Sequence, residues 1–130
     1  ACPCAQWSNF NDKKSIEKKE RLKKVFSFIH DNYFKDISRK DIIDTLDIGE
    51  AQFTRFFKEV SGATFTEYLN SYRIIKSAYL LIYTKKSITD IAYETGFQDL
   101  SYYIKIFNKQ MGVSPNNYRK NIATQTLKNL

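Results

Sequence analysis

The stretch SITDIAYETGFQDLSYYIKIFNKQMGVSPNNYR, residues 87–119, decides how the chain folds. Ser87 is a good helix N-cap, and ITDIAYET carries a short helical pattern that stops at Gly96. Asp99 caps a second, more aromatic helix, LSYYIKIFNKQM, which stops at Gly112. Ser114-Pro115 then opens a last short helix with Pro at its first position. Nothing in the stretch is chemistry-bearing: it has no His, no Cys and no paired carboxylates. A helix, a tight break and a second helix form a scaffold that presents a surface.

The same pattern occurs twice. Phe57, Gly62 and Tyr68 are separated by the same steps as Phe107, Gly112 and Tyr118, fifty residues further on. Arg55 and Lys105 share that offset on the polar faces of their helices. Upstream the offset is forty-nine, so Asp47 falls opposite Gly96 and the second turn is one residue longer. In the first copy Ser38 caps RKDIIDTL, and EAQFTRFFKEV follows with Phe53, Phe56, Phe57 and Val60 as one apolar stripe.

Between the copies, residues 64–84 read as one helix. Tyr68, Leu69, Tyr72, Ile75, Ala78, Tyr79 and Ile82 are expected to form its inward face. About twenty residues give about 30 Å. Ahead of the first copy, Leu22, Phe26, Ile29 and Tyr33 mark another helix from Ile16, and its run EKKERLKK reads as a solvated face. The expectation is therefore an all-α fold of seven helices. Residues 1–15 form a disordered linker remnant, 16–121 the domain and 122–130 a flexible tail. Within the domain the helix-turn-helix subdomains span 37–62 and 87–112, joined by a long central helix at 64–84.

Composition bounds the function. The 130 residues carry 21 Lys and Arg against 14 Asp and Glu, a net charge of +7, which favours an anionic partner. No run of 18 apolar residues exists, so no membrane partner is expected. The only cysteines, Cys2 and Cys4, flank a proline, and the only histidine is His30. That is too few ligands for a zinc site, so no metal or cofactor is expected. Sparse cysteine fits a reducing cytoplasm.

A helix-turn-helix braces its second helix on its first and offers small polar or basic residues to the major groove. Major-groove openings on one face of DNA recur about every 34 Å. The alternatives are a plain bundle whose aromatic stripes are only core, a protein-interaction domain, and a DNA-repair alkyl transferase using Cys2 or Cys4. The duplication, the basic outer positions and the linker length together favour DNA.

The chain resembles the C-terminal DNA-binding domain of AraC/XylS-family transcription regulators over residues 20–120. The resemblance is carried by Ser87, Ile88, Asp90, Ile91, Ala92, Gly96, Phe97, Asp99, Ser101, Tyr102, Phe107, Gly112, Ser114, Pro115, Tyr118 and Arg119, with RFFKEVSGATFTEYL and RIIKSAYLLI in support. It implies sequence-specific binding of double-stranded DNA by both units, transcription regulation without enzymatic activity, RNA polymerase as a partner, and a sensory or dimerisation domain preceding this one. It puts Ala51, Gln52, Thr54 and Arg55 of the third helix, and Leu100, Ser101, Tyr102 and Lys105 of the sixth, at the groove, although Leu100 suits the core equally well. Lys58, Lys109 and Arg119 are phosphate candidates. The first unit departs from the family at Ile43, Asp47 and Gly49, where small Ala, turn Gly and capping Ser are usual. Residues 37–62 hold four basic and five acidic residues, and residues 86–120 hold five and three. The second unit is therefore expected to be the stronger anchor.

Overall fold

The structure is a computed structural model and describes residues 13–128. Those residues form seven helices and no strand: α1 (Lys13–Asn32), α2 (Arg39–Leu46), α3 (Glu50–Ser61), α4 (Phe65–Tyr83), α5 (Ile88–Glu94), α6 (Leu100–Met111) and α7 (Pro115–Lys128). α1 starts three residues ahead of the expected Ile16, and α7 continues through residues expected to be a flexible tail. The expectations for residues 1–12, Cys2 and Cys4 among them, lie outside the described residues.

The chain divides into two compact units, residues 1–31 with 38–65, and residues 32–37 with 66–130. In the first, Val25 and Ile29 of α1, Ile42 of α2 and Phe53, Phe56 and Phe57 of α3 are buried. Phe53 stacks on Phe57 at 5.7 Å, and Phe65 meets both rings edge-on at 6.0 Å. Aromatic pairs of this kind add about 0.5–1.5 kcal/mol beyond the area they bury. Asp41 accepts from the Ser38 backbone N–H at 2.9 Å, which closes the start of α2. Asp47 ends α2 in the left-handed region, φ 56°, and donates its N–H to Ile43 O at 3.0 Å. It is the one non-glycine residue with positive φ among those described.

The second unit is built on Ile74, Ala78 and Leu81 of α4, Ile91 and Ala92 of α5, and Phe97, Tyr103 and Phe107. α5 and α6 carry the caps their sequences announce. Ser87 Oγ accepts from Asp90 N at 3.0 Å, and Asp99 Oδ1 accepts from Ser101 N at 2.8 Å. The turn between them passes through Gly96 at φ 102°. Arg73 of α4 lies against that turn, 8% exposed. It donates from Nε to Tyr33 O at 2.7 Å and from Nη2 to Lys35 O at 2.8 Å, fixing the 32–37 segment within this unit. Burial lowers its pKa, and Asp36 partly offsets this.

Both repeats close their second helix alike. Gly62 and Gly112 have φ of 81° and 80°, and donate to Lys58 O and Asn108 O, each at 2.9 Å. The two acceptor residues, Lys58 and Asn108, are exposed, while Phe57 and Phe107 turn fully inward.

The inward face of α4 differs from the expected one. Leu69, Arg73, Ile74, Ser77, Ala78 and Leu81 are buried, whereas Ile75, Tyr79 and Ile82 are exposed. The helix is apolar nearly all round, with Ile74-Ile75 and Leu80-Leu81-Ile82 adjacent. Periodicity then allows two stripes, and packing in the second unit selects the one around Ile74, Ala78 and Leu81.

Candidate nucleic-acid interface

Each unit presents one long amphipathic helix with a polar outer row. On α3, Ala51, Gln52, Thr54, Arg55 and Lys58 are all exposed, opposite the buried phenylalanines. The apolar stripe at Phe53, Phe56 and Phe57 fixes the helix rotation, so the intervening positions must face outward. Thr54 Oγ1 donates to Glu50 O at 3.0 Å, which leaves its methyl and oxygen lone pairs on the surface. No ion pair holds Arg55 among the described residues. Glu50, at the positive end of α3, is paired with Arg39 at 3.1 Å. That pair blunts the repulsion a lone carboxylate there would offer a phosphate.

Sequence reading missed the contribution of α1. Lys18 reaches Glu59 of α3 at 3.1 Å, and Lys18, Arg21, Gln52 and Arg55 border one open cleft of about 400 Å³. The run EKKERLKK is a largely solvated face, as expected, and its Lys18 and Arg21 also border this cleft. It borders the polar face of α3, but its signal in sequence is indistinguishable from an ordinary charged helix surface.

On α6, Ser101, Tyr102, Lys105 and Lys109 are exposed. Tyr102 accepts a hydrogen bond from Asn70 Nδ2 at 2.9 Å, and its ring lies 6.2 Å from that of Phe97. The phenol is thereby held in place with its own proton available to an acceptor. Lys105 makes no ion pair among the described residues. Lys109 borders a cleft with Asn70, Gln110 and Glu67.

Two expected contacts are redirected. Leu100 is half-buried and packs on the second unit's core. Its side chain completes the α5–α6 seam, because an apolar group gains more from burial there than from the wet groove edge. Arg119 donates from Nε to Leu81 O at 3.0 Å and from Nη2 to Thr84 O at 3.2 Å. It caps the carbonyls at the end of α4 instead of pointing to solvent.

A family profile described as a helix-turn-helix domain matches residues 42–121, which covers part of each unit. The chain belongs to the AraC-type helix-turn-helix family. Among its relatives is the HTH-type transcriptional regulator YdeC of Bacillus subtilis, 31% identical over 109 residues, covering 84% of this chain and 38% of YdeC. The chain thus spans less than two-fifths of that relative. The C-terminal domain of AraT, a response regulator from Geobacillus stearothermophilus, superposes with a TM-score of 0.74 at 28% identity, covering 78% of this chain and 84% of that one. The DNA-binding domain of AdpA, solved in complex with a target DNA, shares the fold at a TM-score of 0.76 and 19% identity, covering 81% of this chain and 94% of that one. By family and fold this AraC-type chain is a sequence-specific DNA-binding domain of transcription regulation. Among the described residues, no helix is long and apolar enough to cross a membrane.

Proposed function

We propose that α3 and α6 enter successive major-groove segments of one DNA duplex, with α3 as reader and α6 as anchor. The observation that carries this is the repeat itself: Arg55 and Lys105 occupy equivalent, exposed positions above Phe57 and Phe107, which are buried in equivalent helices. Arg55 can donate two hydrogen bonds to guanine O6 and N7. Gln52 and Thr54 suit adenine edges, thymine methyls or phosphate. Lys58, Lys105 and Lys109 neutralise phosphates, and the Tyr102 hydroxyl donates to one. The domain carries no chemistry of its own and acts in the cytoplasm. The longer protein regulates transcription through a sensory or dimerisation domain and RNA polymerase. The AraC-type match, DNA-bound AdpA and the transcription regulators among the relatives support this reading.

The test is affinity against salt concentration on selected and scrambled duplexes. Arg55→Ala is expected to lose about 1–3 kcal/mol of discrimination at one base pair. Lys105→Ala combined with Lys109→Ala is expected to weaken both duplexes alike and to lower the salt slope by about 2. If Arg55→Ala flattens the salt slope while the lysine pair leaves it unchanged, reader and anchor are reversed.

A further inference from the structure

The outward face of α4 has no role in the DNA reading. Ile75 is 61% exposed, Tyr79 60%, Ile82 39% and Tyr83 69%. Tyr79 and Tyr83 lie against one another at 4.6 Å, yet both remain in solvent. Single exposed apolar residues need no explanation, but four large ones on one helix face mark an interaction surface. This face continues into an open groove of about 580 Å³ between the end of α4 and α7, floored by Leu81, Ile82, Ile122 and Ala123, with Lys85 at its edge. All of it belongs to the second unit.

Charge selects the occupant. Residues 70–87 contain Arg73, Lys76, Lys85 and Lys86 and no Asp or Glu, and α7 contains none either. Lys86 is engaged by Glu94 at 2.6 Å. Lys85 has no ion-pair partner among the described residues. We infer that this apolar, lysine-edged face of α4 and the groove beside it dock an acidic amphipathic helix of a partner protein. Apolar side chains at i, i+3 or i+4, and i+7 enter the groove, and a carboxylate on the flank meets Lys85 at its edge. A second copy of the chain is disfavoured because it would oppose lysine to lysine with no acid on either side. A lipid surface is disfavoured because the groove is concave and takes a row of side chains, not a plane.

The probe is a synthetic 16-residue helix with leucines on one face and glutamates on the other. Its control has the same leucines with lysines in place of glutamates. Each is titrated into the isotopically labelled full chain and followed by NMR, with phosphatidylglycerol vesicles as a third arm. The glutamate peptide is expected to bind and to shift the signals of Tyr79, Ile82, Tyr83 and Ile122. Lys85→Glu and Ile82→Asp are each expected to weaken it at least tenfold, with DNA affinity unchanged. Tyr79→Ser, at a more exposed position, is to reproduce the effect with an unchanged melting temperature, so that loss of folding is not mistaken for loss of docking. Equal binding of both peptides, or shifts confined to other surfaces, would overturn the inference. So would binding of vesicles in place of peptide, self-association abolished by Ile82→Asp, or loss of DNA affinity in these variants.

Discussion

Replacing Gly96 by alanine is expected to be the most damaging one-carbon change in the second unit. A Cβ there would lie 2.3 Å from Tyr33 O, 2.7 Å from Arg73 Nε and 3.0 Å from Arg73 Cζ. It would sit in the hydrogen bond by which Arg73 holds Tyr33, and Arg73 cannot swing aside, being bound to Lys35 O and packed over Phe97 at 5.9 Å. A bond from a charged donor contributes about 1.5–3 kcal/mol, and a left-handed residue with a Cβ costs about 1–2 kcal/mol. The expected loss is about 3–5 kcal/mol. Gly112 supplies the control, with φ 80° and nothing within 4 Å of a built Cβ. Gly112→Ala should therefore lose only the backbone contribution, about 1 kcal/mol. Urea and thermal unfolding followed by circular dichroism measure both, at roughly 4 °C of melting temperature per kcal/mol. Equal losses for the two substitutions would refute the reasoning, since the Arg73 latch would then contribute nothing.

Asp47→Gly is expected to stabilise the first unit by about 1 kcal/mol, because it relieves a left-handed conformation at φ 56°; unchanged or reduced stability in urea would count against that conformation. Among the described residues the buried Tyr103 hydroxyl has no hydrogen-bond partner, because the Ser77 hydroxyl beside it is given to Ile74 O at 2.7 Å. Tyr103→Phe is thus expected to gain about 1–3 kcal/mol, and a loss of stability would show that the hydroxyl is satisfied. Burial raises the pKa of Tyr103, so above the ordinary phenol value of about 10 the unfolded chain ionises first and stability falls with rising pH. Tyr103→Phe should flatten part of that alkaline fall, the remainder coming in part from Tyr68, whose pKa burial also raises; an unaltered alkaline profile would count against the assignment. Arg119→Ala should destabilise by about 2 kcal/mol through two lost carbonyl contacts, yet leave the salt slope of DNA binding unchanged; a slope reduced by about 1 would restore it as a phosphate ligand.

The repeat was legible because Gly62 and Gly112 mark helix ends that only positive φ can make, and because Phe57 and Phe107 lock the rotation of α3 and α6. Caps at Ser87 and Asp99 were legible for the same local reason. What sequence could not convey was direction over long separations. Arg119 finds carbonyls 38 and 35 residues upstream, a choice that depends on how α7 packs and not on its own helix. The inward face of α4 was ambiguous because apolar residues surround it, so tertiary packing alone chose Ile74 over Ile75. Leu100 was open between groove and core, and neighbouring apolar surface drew it inward.

The Arg73 latch makes the second unit discontinuous in the chain. Residues 32–37 belong to it, while the segments on either side, through 31 and from 38, belong to the first. No single cut separates the two units. A fragment started at Thr66 would keep the guanidinium of Arg73 but lose both of its carbonyl acceptors, Tyr33 and Lys35. Split versions of this protein are therefore better made by circular permutation, or by supplying the 32–37 segment in trans, than by truncation at the start of α4.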